Sequence, residues 1–244
     1  MEKGDLVKAK KGTIEGDSES LGVGVIIEAN IEDGYGGIRH RIAWTKNSLK
    51  PWLMYEEDLE WLSKPKETQM TSDIVKRASE FASKAHNGQV RKYTGEPYFG
   101  HPVEVMEIVS EVIDDPEVHA AALLHDVVED TPVTIKDIED EFGPRVASMV
   151  DDLTDVSKPE DGNRALRKEL DRQHSAKASP DAQTVKLADL ISNSLSIIEE
   201  DPNFAKVYMK EKALLLEVLT KGNPHLFSFA ANIVENYYKD VKKM

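Results

Sequence analysis

The chain has 244 residues, of which 31% are charged and 40% hydrophobic, a composition typical of a soluble globular protein with one large domain or a domain plus a small module. The absence of cysteine excludes disulfides and thiolate metal sites. A formal net charge of −14 argues against a surface that coats nucleic acid. Without a long apolar run or an N-terminal signal segment, the protein is expected to be cytoplasmic and not to enter membranes.

Residues 1–66 are predicted to form a small all-β module. Apolar and polar residues alternate in three runs, at residues 5–9, 22–29 and 38–44. Glycine-rich turns separate these runs, and several short strands in such a short segment favour an SH3-like barrel. The three tryptophans, Trp44, Trp52 and Trp61, all lie here. They either fill the core of the module or form a recognition or oligomerisation surface, so a homo-oligomer is compatible with the sequence.

Residues 67–244 are predicted to form an all-α domain. After a linker-like segment at 63–68, apolar residues recur with the helical period to the end of the chain. Polar caps and prolines predict helix starts near Ser72, Pro102, Pro116, Thr134, Pro144, residue 164, Asp181, residue 203 and Pro224. We therefore expect about eight to ten helices in this domain.

The segment 121–130 places four ionisable residues in an apolar helical run. His125 and Asp126 are adjacent, and Glu129 and Asp130 follow each of them by one helical turn. Buried charge is costly unless it is paired or binds a metal, so the His-Asp pair is a candidate metal site. Adjacent residues on a helix point about 100° apart, so the metal has to lie between the two directions.

Two further residues could complete this site. His101 directly precedes a proline that opens a helix, and Asp189 lies on or next to the apolar stripe of its own helix. Each has an ordinary alternative, since His101 could cap its helix and an arginine or a helix dipole could satisfy Asp189. Two imidazoles and two carboxylates together suit Mn²⁺ or Fe²⁺ with open coordination positions.

The order of His101, then His125-Asp126, then Asp189 resembles that of the HD phosphohydrolase superfamily. Three ordered motifs, at residues 88–102, 124–131 and 185–189, are similar to the hydrolase domain of the RelA/SpoT family. The stand-alone small alarmone hydrolases are especially similar. The resemblance extends over about residues 72–220 and implies a mainly α fold, the HD-domain helical bundle.

This resemblance also implies a function and a set of site residues. Its members use a metal-activated water to hydrolyse the 3′-pyrophosphate of (p)ppGpp, which gives GDP or GTP and pyrophosphate. Mn²⁺ is the implied cofactor, and a small guanine nucleotide is the implied partner. The implied metal ligands are His101, His125, Asp126 and Asp189. The implied catalytic pair is Glu129 and Asp130, and the implied substrate contacts are Arg91, Lys92 and Asn193.

One departure from the family pattern leaves alternatives open. Leu190 stands where the family usually has a basic residue, which predicts the loss of a phosphate or carboxylate contact. The same metal site could therefore act on another nucleotide, such as the 2′-phosphate of NADPH or a nucleoside triphosphate. A non-catalytic nucleotide-binding module is the remaining alternative. The complete ligand set and the intact Glu129-Asp130 pair favour an enzyme.

Overall fold

The computed structural model describes the backbone of residues 6–9, 24–32, 38–44, 52–55 and 59–61, and residues 73–241. The chain divides into two compact units, one of Met1–Thr68 with Asn232–Met244 and one of Gln69–Ala231. The predicted boundary between residues 66 and 67 lies outside the described residues. Among the helices that are described, none combines the length and the apolar character that a membrane crossing requires.

The first unit contains a five-stranded antiparallel sheet. Its strands are β1 (Leu6–Ala9), β2 (Gly24–Glu32), β3 (Ile38–Trp44), β4 (Trp52–Tyr55) and β5 (Leu59–Trp61). They are paired in the order β4-β3-β2-β1-β5, and the β2-β3 pairing contains two register shifts. Strands β1, β2 and β3 lie on the three alternating runs of the sequence. The assignment of this sheet to an SH3-like barrel stays a prediction.

The rest of the described chain is helical, and the prediction of a helical bundle is confirmed. Its helices are α1 (Asp73–Ala85), α2 (Gly100–Ser110), α3 (Pro116–Leu124), α4 (Val127–Asp130), α5 (Ile135–Phe142), α6 (Pro144–Leu153), α7 (Arg164–Ser175), α8 (Pro180–Glu200), α9 (Pro202–Leu216) and α10 (Pro224–Val241). A short 3₁₀ turn, Pro159–Asp161, lies between α6 and α7.

Helix α3 is the centre of the second unit. Every residue from Val118 to Leu124 is buried, because α1, α2, α6 and α8 all pack against α3. The helix starts where predicted, with the Asp115 side chain accepting a hydrogen bond from the Glu117 amide and Pro116 in the first turn. Helix α8 packs on α2, α3, α6 and α9, so it brings its own polar residues into the same interior.

Three predicted helix limits are wrong. Helix α2 begins at Gly100, so Pro102 is its third residue and not its first. The segment 121–130 is not one helix, because α3 ends at Leu124 and α4 begins only at Val127. At this junction the imidazole of His125 hydrogen-bonds to the Ala122 carbonyl, and Asp126 bonds to a tyrosine hydroxyl instead of capping α4. The cap of α8 is Ser179, two residues before the predicted Asp181, because Pro180 already occupies the first helical position.

Candidate active site

The first turn of α2 brings His101 into the interior. Its backbone amide donates to the carbonyl of Tyr98, and its side chain is 2% exposed. The ring lies between two polar groups of α8, with Nδ1 3.0 Å from Ser192 Oγ and Nε2 3.2 Å from Asp189 Oδ1. The loop before α2 and the middle of α8 therefore hold this imidazole from two sides.

The junction between α3 and α4 supplies His125 and Asp126. His125 Nδ1 donates to the Ala122 carbonyl at 2.8 Å, which turns Nε2 toward His101 and Asp126. Asp126 Oδ2 lies 3.0 Å from this Nε2 and 3.6 Å from Nε2 of His101. The break in the helix thus lets adjacent side chains face one point, which a regular helix would hold about 100° apart.

Helix α8 supplies the fourth predicted ligand. Asp189 is 7% exposed, and its Oδ1 lies 3.2 Å from His101 Nε2 and 3.8 Å from His125 Nε2. Asn193, one turn later, donates from Nδ2 to the same oxygen at 2.5 Å. Ligand atoms of His101, His125 and Asp126 lie within 4.8 Å of one another, and Asp189 adjoins this group through the two imidazoles.

The donor atoms fit a divalent cation. Because Nδ1 of His125 is a hydrogen-bond donor, the neutral ring presents a lone pair at Nε2. This buried nitrogen has no hydrogen-bond partner, although a carboxylate oxygen of Asp126 lies 3.0 Å away. Two acceptors at that distance repel each other unless a proton or a metal ion lies close to both. A mixed imidazole and carboxylate set suits Mn²⁺, Fe²⁺ or Zn²⁺.

The pKa values of His125 and Asp126 without a bound metal support a divalent cation at this position. Burial alone would lower the pKa of His125, but the neighbouring Asp126 carboxylate outweighs burial and raises the pKa to about 9. Burial alone would raise the pKa of Asp126, yet His125 and His101 hold it well below its ordinary value. Without a metal, a proton on His125 therefore balances the carboxylates, and a divalent ion can take its place.

The acidic pair lies beside this cluster, on the wall of a pocket of about 590 Å³. Glu129 accepts a hydrogen bond at Oε1 from the Asp155 amide at 2.5 Å. Loss of hydration raises the pKa of Glu129 to about 7, against the attraction of Lys186. Loss of hydration and the charge of Asp126 also raise the pKa of Asp130. Both carboxyls can therefore carry a proton near neutral pH more readily than an ordinary glutamate or aspartate.

The predicted substrate contacts divide into two places. Arg91 Nη1 donates to Asn193 Oδ1 at 3.2 Å, so these two residues lie together next to Asp189. Lys92 has different partners, since its ammonium donates to Tyr93 and lies 3.8 Å from Asp201. Of the three, only Asn193 belongs to the described lining of the pocket.

The sequence predictions did not include the cations that line the described pocket, which are Arg164, Lys168, Arg172, Lys186, Lys210 and Lys212. They come from α7, α8 and α9 and are scattered among ordinary surface lysines in the sequence. Only Lys186 carried a local signal, because it lies one helical turn before Asp189. Its ammonium donates to the Leu153 carbonyl at 3.0 Å beside the acidic pair. Burial lowers the pKa of Lys212, whose ammonium lies over the Tyr208 ring.

The interpretation of Leu190 as a lost phosphate contact stays a prediction. Its side chain is 0% exposed and belongs to the core, and Leu190 is not among the residues that line the described pocket. Leucine at this position therefore contributes to packing.

Comparison with known proteins places this site in a family. A family model described as an HD domain matches residues 78–193, the segment that contains all four predicted metal ligands. A solved structure, described as a metazoan ortholog of SpoT that hydrolyses ppGpp, is 30% identical, with a TM-score of 0.62 over 68% of this chain and 96% of that one. The chain belongs to the HD-domain family. Within it, this HD domain is similar to the RelA/SpoT-type (p)ppGpp hydrolases.

Two curated relatives agree with this placement. The guanosine-3′,5′-bis(diphosphate) 3′-pyrophosphohydrolase of Aquifex aeolicus is 44% identical over 103 residues, 42% of this chain and 14% of that protein. A GTP pyrophosphokinase of Streptomyces coelicolor is 37% identical over 130 residues, 53% of this chain and 15% of that protein. The match thus spans about one seventh of the length of these relatives.

Proposed function

We propose that this HD domain is a Mn²⁺-dependent hydrolase that removes the 3′-pyrophosphate of (p)ppGpp and yields GDP or GTP. The observation that carries the proposal is the convergence of His101, His125 and Asp126 on one point next to Asp189. The HD-family relatives named for SpoT and for the pyrophosphohydrolase supply the substrate class. The site then requires a metal, a proton acceptor, a proton donor and cations for the phosphates.

The four ligands named above would hold the metal. When bound, Mn²⁺ would supply Lewis-acid stabilisation of the phosphoryl oxygens and lower the pKa of the attacking water. The hydrogen bond from His125 to the Ala122 carbonyl keeps its Nε2 directed at the metal position. Ser192 and Asn193 do the same for His101 and Asp189.

Glu129 and Asp130 would move the protons. The Asp155 amide fixes Oε1 of Glu129, which leaves Oε2 to accept the proton of the water that attacks the phosphorus attached to O3′. The bond from this phosphorus to O3′ then breaks, and pyrophosphate leaves. The carboxyl of Asp130 gives its proton to O3′, so that the ribose regains a 3′-hydroxyl. The raised pKa of Asp130 supports its part as the donor.

The cations of the pocket wall would bind the phosphates of a nucleotide. A chain with a net charge of −14 would repel a polyanion unless cations in the pocket offset this repulsion. Lys168, Lys186 and Lys212 supply this charge from three different helices. Arg91 and Asn193 would contact the nucleoside, and Lys92 would reach the substrate after leaving Asp201.

Three broader expectations complete the proposal. We infer that residues 1–66 form an SH3-like module and that residues 67–244 form the hydrolase domain, with the strand pairing and the family match as support. We also infer that the protein acts in the cytoplasm, on a soluble nucleotide and without nucleic acid. A homo-oligomer remains compatible with these inferences.

Product analysis tests the proposal. Metal-free protein is incubated with ppGpp, NADPH or dGTP, with and without Mn²⁺, and the products are separated by anion-exchange chromatography. We expect GDP and pyrophosphate from ppGpp only with Mn²⁺, and no products from the variant His125→Asn. The matched variant His174→Gln, which changes a histidine bound to the Asp151 carbonyl, should behave as wild type. Turnover of NADPH or dGTP alone would overturn the substrate assignment, and no turnover at all would favour a nucleotide-binding module.

A further inference from the structure

The loop between α1 and α2 reaches both ends of α4. It folds back on itself through an antiparallel bridge between Val90 and Pro97, and Gly95 sits at its turn with a φ of 72°. At the base of the loop, the Tyr98 amide donates to the Gln89 carbonyl at 3.0 Å. The side chains of Gln89 and Tyr98 therefore start from paired backbone positions beside α4.

Tyr98 contacts the N-terminal end of α4. Its hydroxyl donates to Asp126 Oδ2 at 2.7 Å, and this is the oxygen that faces both imidazoles of the metal cluster. The ring is fixed between His86 and His101, with centroid distances of 4.9 and 5.9 Å.

Gln89 contacts the C-terminal end of α4. Its Nε2 donates to the Asp130 carbonyl at 2.8 Å, and its Oε1 accepts from Nδ1 of the buried His86 at 2.8 Å. His86 thereby fixes the orientation of the Gln89 amide. The ring of His86 also packs against that of Tyr98, so His86 supports the loop at both residues.

Helix α4 needs such support. It has only four residues, and the Asp126 side chain at its N-cap makes no capping hydrogen bond. A single helical turn is unstable by itself, because fixing its backbone costs more than its one or two hydrogen bonds return. The same turn carries the metal ligand Asp126 at one end and Glu129 and Asp130 at the other, so a small shift would change both metal binding and proton transfer.

We propose that Gln89 and Tyr98 are positioning residues that hold α4 at its two ends, and that Tyr98 directs Oδ2 of Asp126 to the metal. The inference rests on the proposed metal-dependent function. Removal of an outer residue that orients a metal-ligating carboxylate commonly lowers the metal affinity about 10- to 100-fold. Tyr98 is then needed for the strength of metal binding, whereas substrate binding does not depend directly on its hydroxyl.

The test uses the variant Tyr98→Phe, which removes one oxygen atom and keeps the ring. Metal-free protein is titrated with Mn²⁺, and free Mn²⁺ is measured by electron paramagnetic resonance. We expect an affinity about 10- to 100-fold below that of wild type. The matched control is Tyr93→Phe, since Tyr93 belongs to the same loop and donates to the carboxylate of Asp201 instead. Its Mn²⁺ affinity should equal that of wild type.

Steady-state kinetics provide a second test of the same variant. If the hydroxyl acts through metal binding, saturating Mn²⁺ should restore most of kcat in Tyr98→Phe while the KM for ppGpp changes little. Affinity within twofold of wild type would overturn the inference. Loss of the helical circular dichroism signal would also overturn it, because Tyr98 would then support the fold in general. A wild-type protein that binds no Mn²⁺ would instead refute the proposed function.

Discussion

Acidification should weaken metal binding, because a proton on His125 competes with the metal. In the metal-free protein, Asp126 raises the pKa of this buried imidazole to about 9, against the effect of burial. A metal can bind Nε2 only after the proton has left, so binding and deprotonation are linked. The metal affinity should decrease as the pH falls, because the protonated form of His125 predominates below pH 9 and competes with the metal more strongly at lower pH.

The magnitude follows from the same pKa. Below about pH 9, each pH unit changes the protonated-to-neutral ratio of His125 about tenfold, which corresponds to about 1.4 kcal/mol. The affinity for Mn²⁺ should therefore fall about 100-fold from pH 8 to pH 6. At pH 7, binding of one Mn²⁺ should release about one proton from this residue.

Isothermal titration calorimetry measures both quantities. Titrations at pH 6, 7 and 8 give the affinity, and two buffers with different ionisation enthalpies give the number of protons released. The variant His174→Gln serves as the control, because it alters an imidazole outside the cluster and should keep the wild-type slope. An affinity that changes less than about twofold between pH 6 and pH 8 would refute the linkage of metal and proton at His125.

Four further substitutions test three parts of the site and the core beside it. Asp189→Ala should abolish bound metal, measured by elemental analysis, as well as activity, and retained metal would remove Asp189 from the ligand set. Glu129→Gln should keep metal and fold but lower kcat by about 10²–10⁴, and an unchanged rate would shift proton acceptance to Asp130. Lys212→Met should raise the KM for ppGpp more than it lowers kcat in steady-state assays, and an unaltered KM would place the phosphates elsewhere. Leu190→Ala should lower the free energy of unfolding by about 2–5 kcal/mol in urea titrations, because it opens a cavity in the core, whereas a loss below 1 kcal/mol would contradict its buried position.

Local signals in the sequence predicted several helix starts correctly. Asp115-Pro116 and Thr134 are short-range signals, and the structure has a helix start at each of these predicted places. Such caps satisfy backbone groups within a few residues, so they hardly depend on the rest of the fold. The alternating runs of the first unit are local in the same sense, and strands β1 to β3 lie on them.

The junction between α3 and α4 could not be predicted in this way. The residues from Ala121 to Asp130 have the composition of a continuous helix, and nothing in their periodicity marks a break. The break depends on partners distant in the sequence, since Tyr98 bonds to Asp126 and Gln89 to the Asp130 carbonyl. Tertiary contacts of this kind override local helix propensity.

The sequence by itself determined which chemical groups this protein has available, namely two imidazoles and several carboxylates in spaced motifs without any thiolate. Only the tertiary structure decided that α2, the α3-α4 junction and α8 bring four of them within a few ångströms, and that lysines from three helices line the same pocket. The physical reason is the range of the interactions. Caps and periodicity act over one or two turns, whereas the packing of helices joins residues as far apart as His101 and Asp189.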